Sequence, residues 1–371
     1  MFDLRIILKK YLMLNRWRFD LKRLIKININ ALKNNFEIVK KKSPNSKILA
    51  YVKQNAYGHD TSVIVSGLAD ADGFGVTDME SARTIRGIYP TKEILHASIF
   101  PTLDALQEAR LHDIAVVVYN HEIVNLIIKN KLKLRIWLKV NTGFNRFGLR
   151  CEEAPQIIEK LRPYADGEIV VMTHFMNTFA DSQHHKQQLK SWKNIISDYS
   201  GPNSYANSAP ILRGESELGD WVRPGMMLYA HPHSELPHCG VKPVMKVTAP
   251  VLNTMRMQKG DFIGYDRSYE FKSNTNVALV GIGYGDGYPI SANVGTPVCI
   301  EGVLYPVVGR VTMDFLVVDT GQKKVRIGST AELWGENICI TELGKKAGVI
   351  PYDIFVKLQH RRFAKEIVYE C

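Results

Sequence analysis

Residues 48–60, Ile-Leu-Ala-Tyr-Val-Lys-Gln-Asn-Ala-Tyr-Gly-His-Asp, decide how the rest of the chain is read. The first five form an apolar run with the length and composition of a buried strand. Lys53 closes that run, and a polar turn with Asn55, Tyr57, Gly58 and His59 follows it. A lysine at the tail of a buried strand loses hydration, which lowers its pKa and frees its amine to act as base or nucleophile. Lysine is also the side chain that forms Schiff bases with carbonyl compounds.

Outward from this stretch, residues 24–230 alternate β-rich runs with helically spaced segments. Ile48–Val52, Gly73–Val76, Glu93–Ala97, Ile114–Tyr119, Leu134–Val140, Ile169–His174, Ser204–Ala206 and Trp221–Arg223 read as strands. Met79–Ile88, Leu103–Leu111, Glu122–Lys129, Glu153–Leu161 and Gln183–Asp198 read as helices between them. Eight such repeats predict a parallel (β/α)8 barrel, whose chemistry belongs at the C-terminal ends of its strands. Lys53, Lys139, His174, Asn207, Ser208 and Arg223 all stand at or just past such ends. From about residue 240 the texture changes to short apolar runs, such as Val277–Val280 and Phe315–Val318, broken by turn signals. The expected organisation is a basic extension over 1–21, a barrel over 22–240 and a mainly β domain over 241–371. Short helices are expected near Thr341–Ala347 and Tyr352–Leu358.

The net charge of +11 does not point to nucleic acid. Residues 1–53 carry 14 Lys/Arg against 3 Asp/Glu, and the rest of the chain holds 34 of each sign. The excess therefore reads as a basic arm and a solvated helix face. Five scattered cysteines with no paired spacing predict reduced thiols, a cytoplasmic setting and no zinc frame. No apolar run is long enough for a membrane span. The cluster His231, His233, His238 and Cys239 sits in a Pro-rich junction without evident carboxylate support, so no metal is expected.

The segment VKQNAYGHD resembles the cofactor-binding signature of the alanine racemases, enzymes that use pyridoxal 5′-phosphate (PLP). Six further motifs follow in the family's order: LKVNTGFNRFG (138–148), THF (173–175), ANSA (206–209), VRPG (222–225), GYGDGYP (283–289) and GRVTMD (309–314). The resemblance implies that Lys53 carries PLP. Tyr57, Asn207, Ser208, Gly225, Met226 and Tyr352 would surround the cofactor and its phosphate, and Arg223 would face the pyridine nitrogen. His174 is expected to hydrogen-bond into that network and orient Arg223. An arginine can donate to that nitrogen but not protonate it, which restrains side reactions. Racemisation needs a base on each face of a planar carbon. By resemblance Lys53 serves the D-enantiomer, and Tyr284, from the partner subunit of a homodimer, serves the L-enantiomer. Arg146 and the partner's Met313 would contact substrate, and Lys139 matches a lysine that can be carbamylated.

The sequence departs from the family pattern at Gln54, Asp60, Asn141, Phe144 and Asn145. The implied activity is interconversion of L- and D-alanine, supplying D-alanine for peptidoglycan. A broader racemase acting on serine or lysine remains open, as does a decarboxylase of the same architecture. Carbon dioxide release from basic amino acids would mark the decarboxylase. A non-catalytic PLP carrier lacks the second domain.

Overall fold

A computed structural model describes residues 22–175, 183–230 and 239–369. Residues 1–21 and the histidine cluster at 231, 233 and 238 lie outside that description. Contacts divide the described residues into two compact units, one within 32–241 and one made of 22–31 with 242–369.

Chain order gives β1 (Leu24–Asn28), β2 (Lys47–Tyr51), β3 (Gly73–Val76), β4 (Glu93–His96) and β5 (Ala115–Val118). β6 (Ile136–Asn141), β7 (Val170–Met172), β8 (Asn203–Ser204) and β9 (Trp221–Val222) follow. Strands β2 to β9 pair in parallel in the order β9-β2-β3-β4-β5-β6-β7-β8. A bridge between Ser204 and Gly219, and the Arg223 N–H donating to the Ala206 carbonyl at 2.8 Å, tie β8 back to β9. This is the expected (β/α)8 barrel. β3 and β5 are buried at every position, as strands covered on both faces must be. Leu49, Leu95, Ala115, Val117, Trp137, Val170, Met172 and Trp221 fill the centre. Side-chain oxygens of Asp78, Thr102 and Asn120 cap three of the outer helices.

The second unit is the expected mainly β domain. β10 (Met245–Met257), β11 (Thr275–Val280), β12 (Pro297–Ile300), β13 (Val303–Val308), β14 (Leu316–Gly321), β15 (Thr330–Trp334) and β16 (Ala364–Val368) form one sheet with β1. Its order is β11-β14-β13-β12-β15-β10-β1-β16, and β11 also pairs with β10, closing six strands into a ring. Helices Ile340–Ala347 and Pro351–Lys357 stand where the sequence places them.

One boundary differs from the expectation. The sequence places β1 within the barrel region, but it pairs antiparallel with β10 and parallel with β16. Its alternating burial suits an open sheet with one covered face rather than a barrel strand buried on both. Residues 22–31 thus precede the barrel in sequence and belong to the second unit in space.

Candidate active site

Strand periodicity assembles the barrel's charged layer. Side chains two apart share a face, so the interior residues Leu49, Trp137, Met172 and Trp221 dictate what comes next. Two positions on are Tyr51, Lys139, His174 and Arg223, and Lys53 follows Tyr51 by two more. An apolar layer therefore sits beneath a polar one at the C-terminal end of the barrel.

Lys53 begins a tight reversal. Gln54, Asn55, Ala56 and Tyr57 all adopt left-handed backbone conformations, with φ of 52, 52, 52 and 53°. Such a conformation costs an L-residue about 1–2 kcal/mol, and strain of this kind concentrates at functional sites. The turn is held by the Ala56 N–H donating to the Val52 carbonyl at 2.9 Å and by the Asn55 side chain accepting from the Thr61 N–H at 2.9 Å. It buries Tyr57 while leaving the Lys53 ammonium 6.0 Å from the Tyr57 ring centroid.

Arg223 is fully enclosed and pinned. Its guanidinium donates to the Ser204 hydroxyl, to the Thr173 carbonyl at 2.5 Å and to the Tyr205 carbonyl at 3.5 Å, and it shares a hydrogen bond with the Tyr51 hydroxyl. The expected hydrogen bond between His174 and Arg223 is absent among the described residues. The His174 ring stands edge-on to Phe144, 5.7 Å between centroids, and it makes no hydrogen bond among the described residues. Burial, then Arg223 and the neighbouring Lys139, Arg146 and Lys53, push His174 down to about 3, so it is neutral at physiological pH.

Lys139 is nine-tenths buried, and burial, Arg223, Arg146 and Lys53 lower its pKa to about 8. Burial and Arg146 lower Lys53 as well. Among the described residues, every charged neighbour acting on Lys53, Lys139 and His174 is a cation. Uncompensated buried charge is costly, so this layer favours anions.

The Arg146 guanidinium carbon lies 4.3 Å from the Phe144 ring centroid, and the Lys139 ammonium 5.6 Å from that of Phe147. Both are cation–π contacts. Asn141 organises the loop between them. Its side-chain oxygen accepts from the Gly143 and Asn145 N–H groups at 3.0 Å each, and its amide donates to Asn145 at 2.9 Å. The departures at 141, 144 and 145 thus work together to hold the loop that carries Arg146.

A second polar cluster lies beside β9. The Ser208 hydroxyl accepts from the Gly225 and Met227 N–H groups at 3.1 and 3.3 Å. A Cβ on Gly225 would stand 2.9 Å from the Tyr57 hydroxyl, so glycine is what allows that hydroxyl to approach the backbone. The Asn207 side chain caps the helix Ser208–Arg213 by accepting from the Ala209 N–H at 3.0 Å. Two hydroxyls and two N–H groups, beside a cationic layer, suit a phosphate. The residues present therefore fit PLP.

Tyr284, Met313 and Tyr352 belong to the second unit. Tyr284 and Met313 are 40% and 55% exposed, and Tyr352 lies in the first turn of the helix Pro351–Lys357. Sequence reasoning missed Tyr51, Ser204, the Thr173 carbonyl and the Met227 N–H, whose roles come from neighbouring strands and loops. For Tyr51 alone a signal existed, because it stands two before Lys53 on one strand. Among the described residues no cluster of His, Cys, Asp and Glu is arranged to hold a metal, and no helix is long and apolar enough to cross a membrane.

Comparison with known proteins covers both units. Residues 27–232 match the family model for the alanine racemase N-terminal domain, and residues 244–366 that for the C-terminal domain. The alanine racemase of Actinobacillus succinogenes is 34% identical over 345 residues, 91% of this chain and 96% of that protein. That of Vesicomyosocius okutanii is 35% identical over 344 residues, 91% and 97% of the two chains. The structure of alanine racemase from Acinetobacter baumannii superposes with a TM-score of 0.89 at 30% identity, covering 94% of this chain and 100% of that one. The structure of the Bartonella henselae enzyme, described as having covalently bound pyridoxal phosphate, gives 0.85 at 25%, covering 94% and 99%.

Proposed function

From the premise that this chain belongs to the alanine racemase family, we propose that it interconverts L- and D-alanine with PLP held on Lys53, using two bases. The observation that carries this is the buried cationic layer around Lys53, which has no balancing carboxylate among the described residues and stands beside a cluster suited to phosphate.

When bound, PLP withdraws electrons from the amino acid's α-carbon and so acidifies its α-hydrogen. The phosphate would be held by Tyr57, Ser208 and the N–H groups about Gly225, Met226 and Met227, with Asn207 and Tyr352 alongside. Arg223, fixed by its four partners, would donate to the pyridine nitrogen. The substrate carboxylate would pair with Arg146, whose guanidinium Phe144 braces, with Met313 packing on the substrate. Lys53 Nζ would take or return the α-proton on the D face. Its lowered pKa supports this by raising the share of free amine.

Tyr284 Oη would do the same on the L face. Tyr284 and Met313 would come from a second copy of the chain, making the active enzyme a homodimer. Lys139, with its pKa near 8, would hold enough free amine to attack carbon dioxide, releasing a proton and leaving an N-carboxylate close to Arg146. The D-alanine formed would serve peptidoglycan synthesis in the cytoplasm.

Purified protein with PLP should turn L-alanine into D-alanine, and Lys53→Ala should lower the rate by at least about 10³-fold, as loss of a positioned base does. Wild-type activity in Lys53→Ala, or release of carbon dioxide in place of racemisation, would overturn the assignment.

A further inference from the structure

The loop that carries Tyr284 is docked on the loop that carries Met313. The Tyr284 N–H donates to the Thr312 carbonyl at 3.0 Å and the Gly285 N–H to the Met313 carbonyl at 2.9 Å. A Cβ on Gly283 would stand 2.2 and 2.4 Å from the Thr312 and Met313 carbonyl oxygens, so only glycine allows the approach.

Beneath this contact lies Asp286, whose side chain is fully buried. Its carboxylate accepts from the Gly283 N–H at 2.9 Å and forms ion pairs with Arg23 at 3.2 Å and Arg362 at 2.8 Å. Arg362 spreads its other nitrogens over both loops. It donates to the Gly285 carbonyl at 3.3 Å and to the Asp314 carboxylate at 2.7 Å. Asp314 follows Met313 directly, and Gly285 follows Tyr284. One guanidinium thus touches the buried anchor, the tyrosine loop and the methionine loop. Planar, multidentate bridging is what distinguishes arginine from lysine. Tyr284 and Met313 themselves remain exposed above it.

We propose that Arg362 is a positioning residue for the reaction. It fastens the two loops so that Tyr284 and Met313 are offered as one fixed pair, and it holds the Tyr284 hydroxyl at the place where it meets the L face. This rests on the reading of Tyr284 as the second base. A misplacement of about 1 Å at such a group can cost about 10²-fold in rate.

The test is α-hydrogen exchange in D2O, followed by proton NMR for each enantiomer separately. The variants are Arg362→Lys, Asp314→Asn and Tyr284→Phe, with bound PLP measured by absorbance. Arg362→Lys keeps a cation for Asp286 but loses the fork. It should slow racemisation and exchange of L-alanine by tenfold or more, while D-alanine exchange and PLP content stay near wild type. Asp314→Asn, at a half-exposed site, should show the same asymmetry, smaller.

A merely structural Arg362 predicts equal loss of both exchanges in step with folded protein, and that outcome overturns the proposal. Unchanged exchange in both Arg362→Lys and Asp314→Asn overturns it too. Should Arg362→Lys fail to fold, Asp314→Asn alone decides, by its asymmetry or the lack of it. Tyr284→Phe separates the two claims. If it leaves L-alanine exchange intact, the reading of Tyr284 fails. If it is asymmetric and the Arg362 and Asp314 variants are not, the positioning role fails.

Discussion

The two ends of the barrel treat positive charge in opposite ways. At the N-terminal end, Arg135 meets Glu93 at 2.7 Å and Asp113 at 3.1 Å, and Arg86 meets Asp113 at 3.3 Å. Glu93 also accepts from the Trp137 indole at 3.1 Å. Both arginines there have a carboxylate, and burial pushes Glu93 up even so. At the C-terminal end, Lys53, Lys139 and Arg223 gather with Arg146 close by, and among the described residues the charges acting on the lysines are all positive. The same strands join the two ends: β4 starts with Glu93, and β6 runs from beside Arg135 up to Lys139. One end is complete as protein structure. The other, among the described residues, gathers cations without a carboxylate, and on the proposed function an anionic ligand would complete it. A barrel separates stability from chemistry in this way because its two ends share strands but not side chains.

Breaking the paired end should have the largest effect on stability. Glu93→Gln weakens a half-buried pair, leaving Arg135 with Asp113, and should cost about 1.5–3 kcal/mol, the usual range for a hydrogen bond to a charged group. Thermal denaturation would read it, with activity per folded molecule unchanged. An unaltered melting temperature would remove the contrast between the ends.

The unpaired end should respond with the opposite sign. Lys139→Met removes a like charge and should stabilise the PLP-free protein by about 1–3 kcal/mol at pH 7. The Lys139 pKa falls from 10.5 to about 8 on folding. The unfolded chain therefore binds more protons between those values, so wild-type stability rises with pH across that window, and the penalty is full below it. Lys139→Met should flatten that rise. It should also erase any carbamate resonance that wild type shows in carbon-13-labelled bicarbonate.

The smallest effect is expected at the aromatic brace. Phe144→Leu removes a cation–π contact of about 0.5–2 kcal/mol. It should raise KM for alanine by about two- to thirtyfold with less change in kcat, because Arg146 holds the carboxylate before and during reaction.

The sequence made the barrel legible because its strands are nearly continuous apolar runs at regular spacing. Lys53 was legible for the same reason, as a charge placed where such a run ends. β1 was not, since it is a short run with polar Lys26 and Asn28 beside Ile27, and its partners lie more than two hundred residues away. The fastening of Arg223 was hidden as well. Ser204, the Thr173 carbonyl and Tyr51 come from three different strands or strand ends, and the single histidine that looked suited to the role points to Phe144 instead. Asp286 and Arg362, separated by 76 positions, meet only through the sheet of the second unit.

The central claim is that Lys53, rather than the more deeply buried Lys139, carries the cofactor. Borohydride reduction of the PLP-loaded protein, followed by peptide mass mapping, fixes the cofactor to whichever lysine holds it. The account predicts the phosphopyridoxyl mass on Lys53 alone. That mass on Lys139, or on no lysine of the barrel, would contradict it.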